Sequence, residues 1–213
     1  MIFFIKNNKK YRKNKIDMVY LSHNEGDDIM IKIPVGVSNR HVHLTKEDVD
    51  ILFGTDYKLT KKRDLSQIGQ FACEEVVSIK NKDKTIEHVR VLGPVRNYTQ
   101  VEIMKTDADY LELNPPIRNS GDLDNSETIT IIGPKGEIER KNSCIIATRH
   151  IHINSREYPN LLDNSIVKLK VKDNIIMDNV YIKKDPSFVL ELHIDKDDAK
   201  NFNLENGDVV ILE

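Results

Sequence analysis

Most of this chain is written as short alternating runs of apolar and polar residues, broken by polar turns. "DIMIKIPVGVS", "VVSIKN", "EHVRVLG", "TQVEIM", "ETITIIG", "SCIIA" and "DVVILE" are such runs. Period-two alternation predicts strands with one buried face. Turn signals recur at intervals of roughly 8–12 residues, the spacing of small barrels. Helix signals are fewer. Thr45-Lys46-Glu47-Asp48 and Asn154-Ser155-Arg156-Glu157 each read as an N-cap with an acid three residues on. Each predicts a short helix, burying Val49, Leu52 and Phe53 in the first case and Leu161 and Leu162 in the second.

The pattern occurs twice. "RHVHLTKEDVDILFG" matches "RHIHINSREYPNLLDN", and "VVSIKNKDKTIEHVRVLGPV" resembles "IVKLKVKDNIIMDNVYIKKD". "TQVEIMKTDADYLEL" matches "FVLELHIDKDDAKNF", a strand entering a capped short helix. Each copy then reaches a Gly-Asp turn, Gly121-Asp122 and Gly207-Asp208, before a β-rich run. The repeat spans about half the chain, so it is a duplication and not a solenoid. The fold class is mainly β (α+β): two tandem small β-barrels related by internal duplication, with short flanking helices. Residues 39–148 make the first barrel and 149–213 the second. Copy two ends where copy one continues into "SCIIA", and the run over 30–38 has the same character. That N-terminal strand is expected to complete the second barrel and to bring both histidine pairs near the junction.

Composition narrows the class. The chain has 213 residues, 39% hydrophobic and 31% charged, enough for real cores with a well-solvated surface. A formal net charge of −2 gives no global attraction to nucleic acid or acidic membrane. No apolar run approaches the roughly 20 residues of a membrane span. Cys73 and Cys144 form no C-x-x-C and fit free thiols in a reducing cytosol. The opening "MIFFIKNNKKYRKNK" has an apolar stretch too short for a secretory signal. Residues 1–29 are expected to be a flexible extension, and "MIKIPVGVS" from Met30 reads like a natural start.

Four of the seven histidines lie in two H-x-H pairs. On a strand, residues two apart share a face, so His41 and His43 project together, as do His150 and His152. Neutral imidazole is a preferred zinc ligand, and a catalytic zinc commonly takes three protein ligands. The repeat supplies the third donors. In the repeat, Glu102 falls on Glu191 and Met104 on His193, all on one face. The two sets are then His41, His43 and Glu102, and His150, His152 and His193. Glu74 and Glu75 are rivals to Glu102. Zinc heads the candidates because the sites are rich in histidine and carboxylate and lack thiolates; iron, manganese or cobalt suit the same donors.

Arg96 follows a Gly-Pro turn just upstream of Glu102, while the matched "YIKKDP" lacks an arginine. An arginine that breaks a repeat suits bidentate binding of phosphate or carboxylate. Arg40 and Arg149 adjoin the histidines on the opposite face and are expected to make structural ion pairs. His23 and His88 have no repeat partner and read as surface residues. A metal beside an anion-binding arginine points to acyl or phosphoryl chemistry. A metal-dependent thioester or phosphoester hydrolase and a metal-stabilised scaffold are the rival classes.

"PVGVSNRHVHL", "QFACEE", "VRVLGPVR", "TQVEI", "SGDL" and "RHIHI", in this order, closely resemble the phosphate propanoyltransferase family of phosphotransacylases, from about Ile33 to the C-terminus. The resemblance implies reversible transfer of a short acyl group between coenzyme A and inorganic phosphate. It implies two zinc ions at the interface of two barrels, held by the two sets above. It places phosphate binding on Arg96 and coenzyme A binding around Gly36, Val37 and Ser38, with Arg90. A homodimer is a further implication. Family members that enter bacterial microcompartments carry an amphipathic N-terminal helix. The first 29 residues show no clear apolar stripe, so a cytoplasmic location is expected, with a place inside a microcompartment and a shell partner as an alternative that the N-terminus does not support.

Overall fold

The structure, a computed structural model, describes residues 30–212. The extension expected to be flexible over 1–29, with His23, lies outside the described residues. Ile31–Ser38 forms strand β1, His41–His43 β2 and Lys46–Phe53 helix α1. Lys61–Asp64, Phe71–Asn81, Lys84–Gly93 and Gln100–Glu102 are β3 to β6, and Lys105–Leu111 is α2. Ile117–Arg118, Glu127–Ile132 and Glu137–Ala147 are β7 to β9. His150–Asn154, Ile166–Lys170, Ile176–Asp185 and Glu191–Asp195 are β10 to β13, followed by α3 over Lys196–Asn201 and β14 over Val209–Leu212.

These strands close into two six-membered rings. One runs β1-β13-β10-β12-β11-β14. In the other, β5, β2, β6, β9, β8 and β4 pair in turn and β4 returns to β5, with β3 and β7 on its edges. The fold is therefore mainly β with two barrels and three short α-helices among the described residues.

The rings exchange strands. β1 leads into β2, yet it pairs parallel with β13 and antiparallel with β14 of the other ring. β9 leads into β10, yet it pairs with β6 and β8. The reason lies in the buried faces. Ile33 and Val35 sit in a core with Ile151, Leu192 and Val210, while Cys144 joins the core of Val42, Val91 and Val101. Each barrel thus owns a strand whose covalent continuation is the other barrel's histidine strand.

The helix expected at Thr45 forms. The Thr45 hydroxyl accepts from the Asp48 N–H at 3.1 Å, and Val49, Leu52 and Phe53 are buried. The helix expected after Asn154 does not. The chain makes one turn, with the Glu157 and Tyr158 amides on the Asn154 carbonyl, and no α-helix follows. Pro159 explains the failure: it lacks an N–H and holds Tyr158 away from helical angles. Leu162, expected to be buried, is 73% exposed. Leu161 packs partly against the second core. His88 is exposed at a hairpin strand, as a surface residue.

Candidate active site at the barrel junction

Alternation aims the functional side chains out of each barrel. On β2, Val42 enters the core and His41 and His43 face the other way; on β10, Ile151 and Ile153 do so and leave His150 and His152 outside. Val101 on β6 and Leu192 on β13 are likewise core residues, which turns Glu102 and His193 to the histidine face. Cross-strand pairing then assembles two groups. His41 lies opposite Glu102, and His150 opposite His193. One donor atom from each of His41, His43 and Glu102 lies within 4.8 Å of the others, and the same holds for His150, His152 and His193.

This register corrects the repeat alignment. Glu102 corresponds to His193, and Gln100, opposite His43, corresponds to Glu191, opposite His152. The helices agree with it: α2 and α3 start at equivalent points, and Arg40–Asp107 matches Arg149–Asp198. Each arginine makes a two-point ion pair, at 2.8 and 2.6 Å in the first barrel and 2.9 and 2.7 Å in the second. Glu74 and Glu75 are committed elsewhere. Glu74 pairs with Lys62, and Glu75 accepts from the Tyr57 hydroxyl and the Thr60 N–H.

The donor sets fit a divalent metal. Nδ1 of His41 is 2.8 Å from the Asn39 carbonyl, and Nδ1 of His150 is 2.8 Å from the Thr148 carbonyl. A backbone carbonyl on Nδ1 fixes the tautomer and leaves Nε2 as a donor. Nδ1 of His43 and of His152 are buried with no hydrogen-bond partner. A buried polar atom without a partner is costly unless something joins it, and a cation satisfies both. Burial pushes the pKa of His43 and of His152 down to about 3 and takes His150 well below its usual value, so all three are neutral at pH 7, the form a metal requires. Burial disfavours ionised Glu102, but the charge and hydrogen bond of His41 outweigh it and hold the carboxylate well below its usual range. Gln67 comes within 3.4 Å of His193, and Ser38 and Asp195 of the second ring line a small cavity with His41 and Glu102, so both clusters lie at the junction. Among the described residues these are the only two such groups.

Arg96 stands beside the first cluster. Its guanidinium donates to the Tyr98 hydroxyl at 3.2 Å, the Ser120 hydroxyl at 3.3 Å and the Gln70 side-chain carbonyl at 3.5 Å. All three acceptors are neutral, and among the described residues no carboxylate pairs with it. Gln100 donates to both Ser120 (2.8 Å) and Glu102 (2.5 Å), which links Arg96 to the cluster. Ser120 and Gln100 were not singled out from the sequence, although both lie in recognisable stretches, "SGDL" and "TQVEI".

On the second side, Glu191 lies 2.9 Å from Nε2 of His193 and receives the Ser66 hydroxyl. Gly36, in register with His193, makes room: a Cβ there would stand 2.7 Å from the Glu191 carboxyl carbon. Val37 and Ser38 continue along β13, the Val37 N–H donating to Asn206 at 2.7 Å and the Ser38 hydroxyl to the Ile194 carbonyl at 3.3 Å. Arg90 pairs in register with His41, and its guanidinium donates to the Cys73 and Glu74 carbonyls at 3.0 and 2.8 Å. The segment Leu65–Gln70 crosses between barrels. The Gln67 side chain makes two hydrogen bonds to the Val189 backbone, at 2.9 and 3.1 Å.

Two barrels that each carry such a cluster, with an arginine beside the first that no carboxylate pairs among the described residues, define the class. The sequence model of the phosphate propanoyltransferase family matches residues 34–205. A phosphate propanoyltransferase of Thermotoga maritima is 48% identical over 185 residues, covering 84% of this chain and 88% of that protein. Those of Lachnoclostridium phytofermentans and Priestia megaterium are 46% and 47% identical, each covering 84% of this chain and 86% and 85% of theirs. The chain belongs to the phosphate propanoyltransferase family and is an acyltransferase enzyme. No helix among the described residues is long and apolar enough to cross a membrane.

Proposed function

We propose that this enzyme moves a short acyl group, propanoyl or acetyl, reversibly between coenzyme A and inorganic phosphate at the barrel junction. The observation that carries the reading is Arg96, a guanidinium without a carboxylate, tied through Ser120 and Gln100 to a cluster of metal-ligand type. Arg96 holds the phosphate by its planar fork and orients one oxygen toward the thioester carbonyl. His41, His43 and Glu102, and His150, His152 and His193, hold one divalent ion each, with zinc favoured by imidazole and carboxylate donors. Such an ion supplies Lewis acidity at the carbonyl oxygen. The phosphate oxygen bonds to the carbonyl carbon, the carbon–sulfur bond breaks, and coenzyme A leaves as a thiolate that is protonated from solvent. Gly36, Val37, Ser38 and Arg90 are the proposed coenzyme A contacts, since they lie beside His193 and His41.

The test is thioester formation from propanoyl phosphate or acetyl phosphate plus coenzyme A, with metal content measured on the same preparation. Thioester formation with about two metals per chain is expected. Loss of acyl phosphate at the same rate with and without coenzyme A, and no thioester, would point to a hydrolase instead.

No covalent acyl-enzyme is needed, and the thiols are unsuited to form one. Burial, with the Glu75 charge adding to it, pushes Cys73 up to about 12; burial and Glu127 do the same to Cys144. The native enzyme is therefore expected to resist iodoacetamide at pH 8 and to react after denaturation. It should also fail to exchange labelled phosphate into acyl phosphate when coenzyme A is absent. Rapid exchange under those conditions would overturn direct transfer.

A further inference from the structure

Lys183 is a cation at the junction that neither repeat logic nor the metal clusters account for. It lies on β12, paired in parallel register with His152, so its side chain stands on the face that carries the histidines. Ile182 beside it is fully buried in the second core. Its surroundings come from both barrels. His150 and His152 feel its charge from their own barrel, and it in turn feels Glu102 and Arg96 from the other.

Among the described residues the Lys183 ammonium has neither a hydrogen bond nor an ion pair. Lys184 next to it is the contrast: its ammonium is spent on the Pro159 carbonyl at 3.1 Å and on the Leu161 carbonyl. Glu102, the nearby anion, is already engaged by His41 and Gln100. A half-buried ammonium without a partner is unfavourable, and an anion brought in by a ligand removes the penalty. Arg96 poses the same demand from the opposite barrel. The first barrel lacks a lysine here, since the strand position equivalent to Lys183 is Leu92, beside His43; the second barrel lacks the arginine.

We propose that Lys183 is a second phosphate-binding residue, gripping from the second barrel the phosphate group that Arg96 holds from the first. The proposal rests on the acyl-transfer reading above. A lysine suits this place as a point charge with three donors, complementing the planar fork of arginine. The same phosphate chemistry is also carried by coenzyme A, so the experiment separates the two sources.

Lys183→Met and Lys183→Arg would be compared with wild type in steady-state kinetics, and in thermal unfolding with inorganic phosphate and, separately, with coenzyme A. For Lys183→Met the KM for phosphate should rise about 10- to 100-fold. The KM for acyl-CoA and the kcat at saturating phosphate should stay within about threefold. The rise in melting temperature that phosphate gives the wild type should be mostly lost, that given by coenzyme A retained, and Lys183→Arg should restore much of both phosphate effects. A merely structural lysine would lower the melting temperature without ligand and leave the KM for phosphate alone, which overturns the proposal. Loss of the coenzyme A effect with the phosphate effect intact overturns it too, assigning the charge to the other source. A wild type that forms no thioester and gains nothing from phosphate instead brings down the acyl-transfer reading on which the proposal stands.

Discussion

Arg96→Ala is expected to lower kcat/KM for acyl transfer by about 10²- to 10³-fold while the barrels stay intact. The loss is large because the neighbouring arginines are committed elsewhere: Arg40 and Arg149 to Asp107 and Asp198, and Arg90 to the Cys73 and Glu74 carbonyls. The fold should survive because, among the described residues, the Arg96 side chain hydrogen-bonds only to Tyr98, Ser120 and Gln70. Its backbone amide, which bonds the Leu44 carbonyl at 2.9 Å, is untouched by the substitution. Stability should change by no more than about 0.5 kcal/mol. Arg96→Lys should recover part of the activity, since it restores the charge but not the two-point geometry. Thioester assays with varied phosphate, alongside thermal melts, decide the matter. Activity within a few-fold of wild type for Arg96→Ala would remove the anion site from the mechanism.

The second large effect is on stability. Ile33→Ala should cost about 3 kcal/mol, since Ile33 is fully buried on the strand that closes the second ring. For a chain of this size that is a fall in melting temperature of roughly 6–12 °C. Ile33→Val should cost only about 1 kcal/mol, which separates lost packing from local damage. The damage should also reach the site unevenly. β1 pairs with β13 from Val35 to Ser38, alongside His193, whereas the first cluster stands on strands of the other ring. Metal bound by His150, His152 and His193 should therefore be released to a chelator earlier than metal bound by His41, His43 and Glu102. A melting temperature unchanged within about 1 °C would mean the ring does not depend on β1 packing.

The sequence reading went astray where structure depends on neighbours far along the chain. The repeat alignment set Glu102 against Glu191, whereas the strands set it against His193. A two-residue slip keeps every side chain on the same face, so a period-two pattern cannot detect it; only a one-residue slip reverses the faces. Cross-strand pairing and the matched Arg40–Asp107 and Arg149–Asp198 bridges settle it. The missing helix after Asn154 is a different kind of miss. Its capping signal is intact, but Pro159 disfavours continuation, and the local cap could not outweigh that.

By itself the sequence determined what local physics controls: the alternating strands, the duplication, the Thr45-capped helix, and two H-x-H pairs that must each project to one side. It also marked Arg96 by breaking the repeat. Only the tertiary structure decided what those groups meet. Ser120 and Gln100 join Arg96 to Glu102, Glu191 backs His193 because Gly36 leaves the space, and Lys183 enters from the very segment, "YIKKDP", whose missing arginine had drawn attention to Arg96. These neighbours come from strands distant in sequence. Their meeting depends on ring closure and strand register, and a pattern along one strand carries no information about which strand lies beside it.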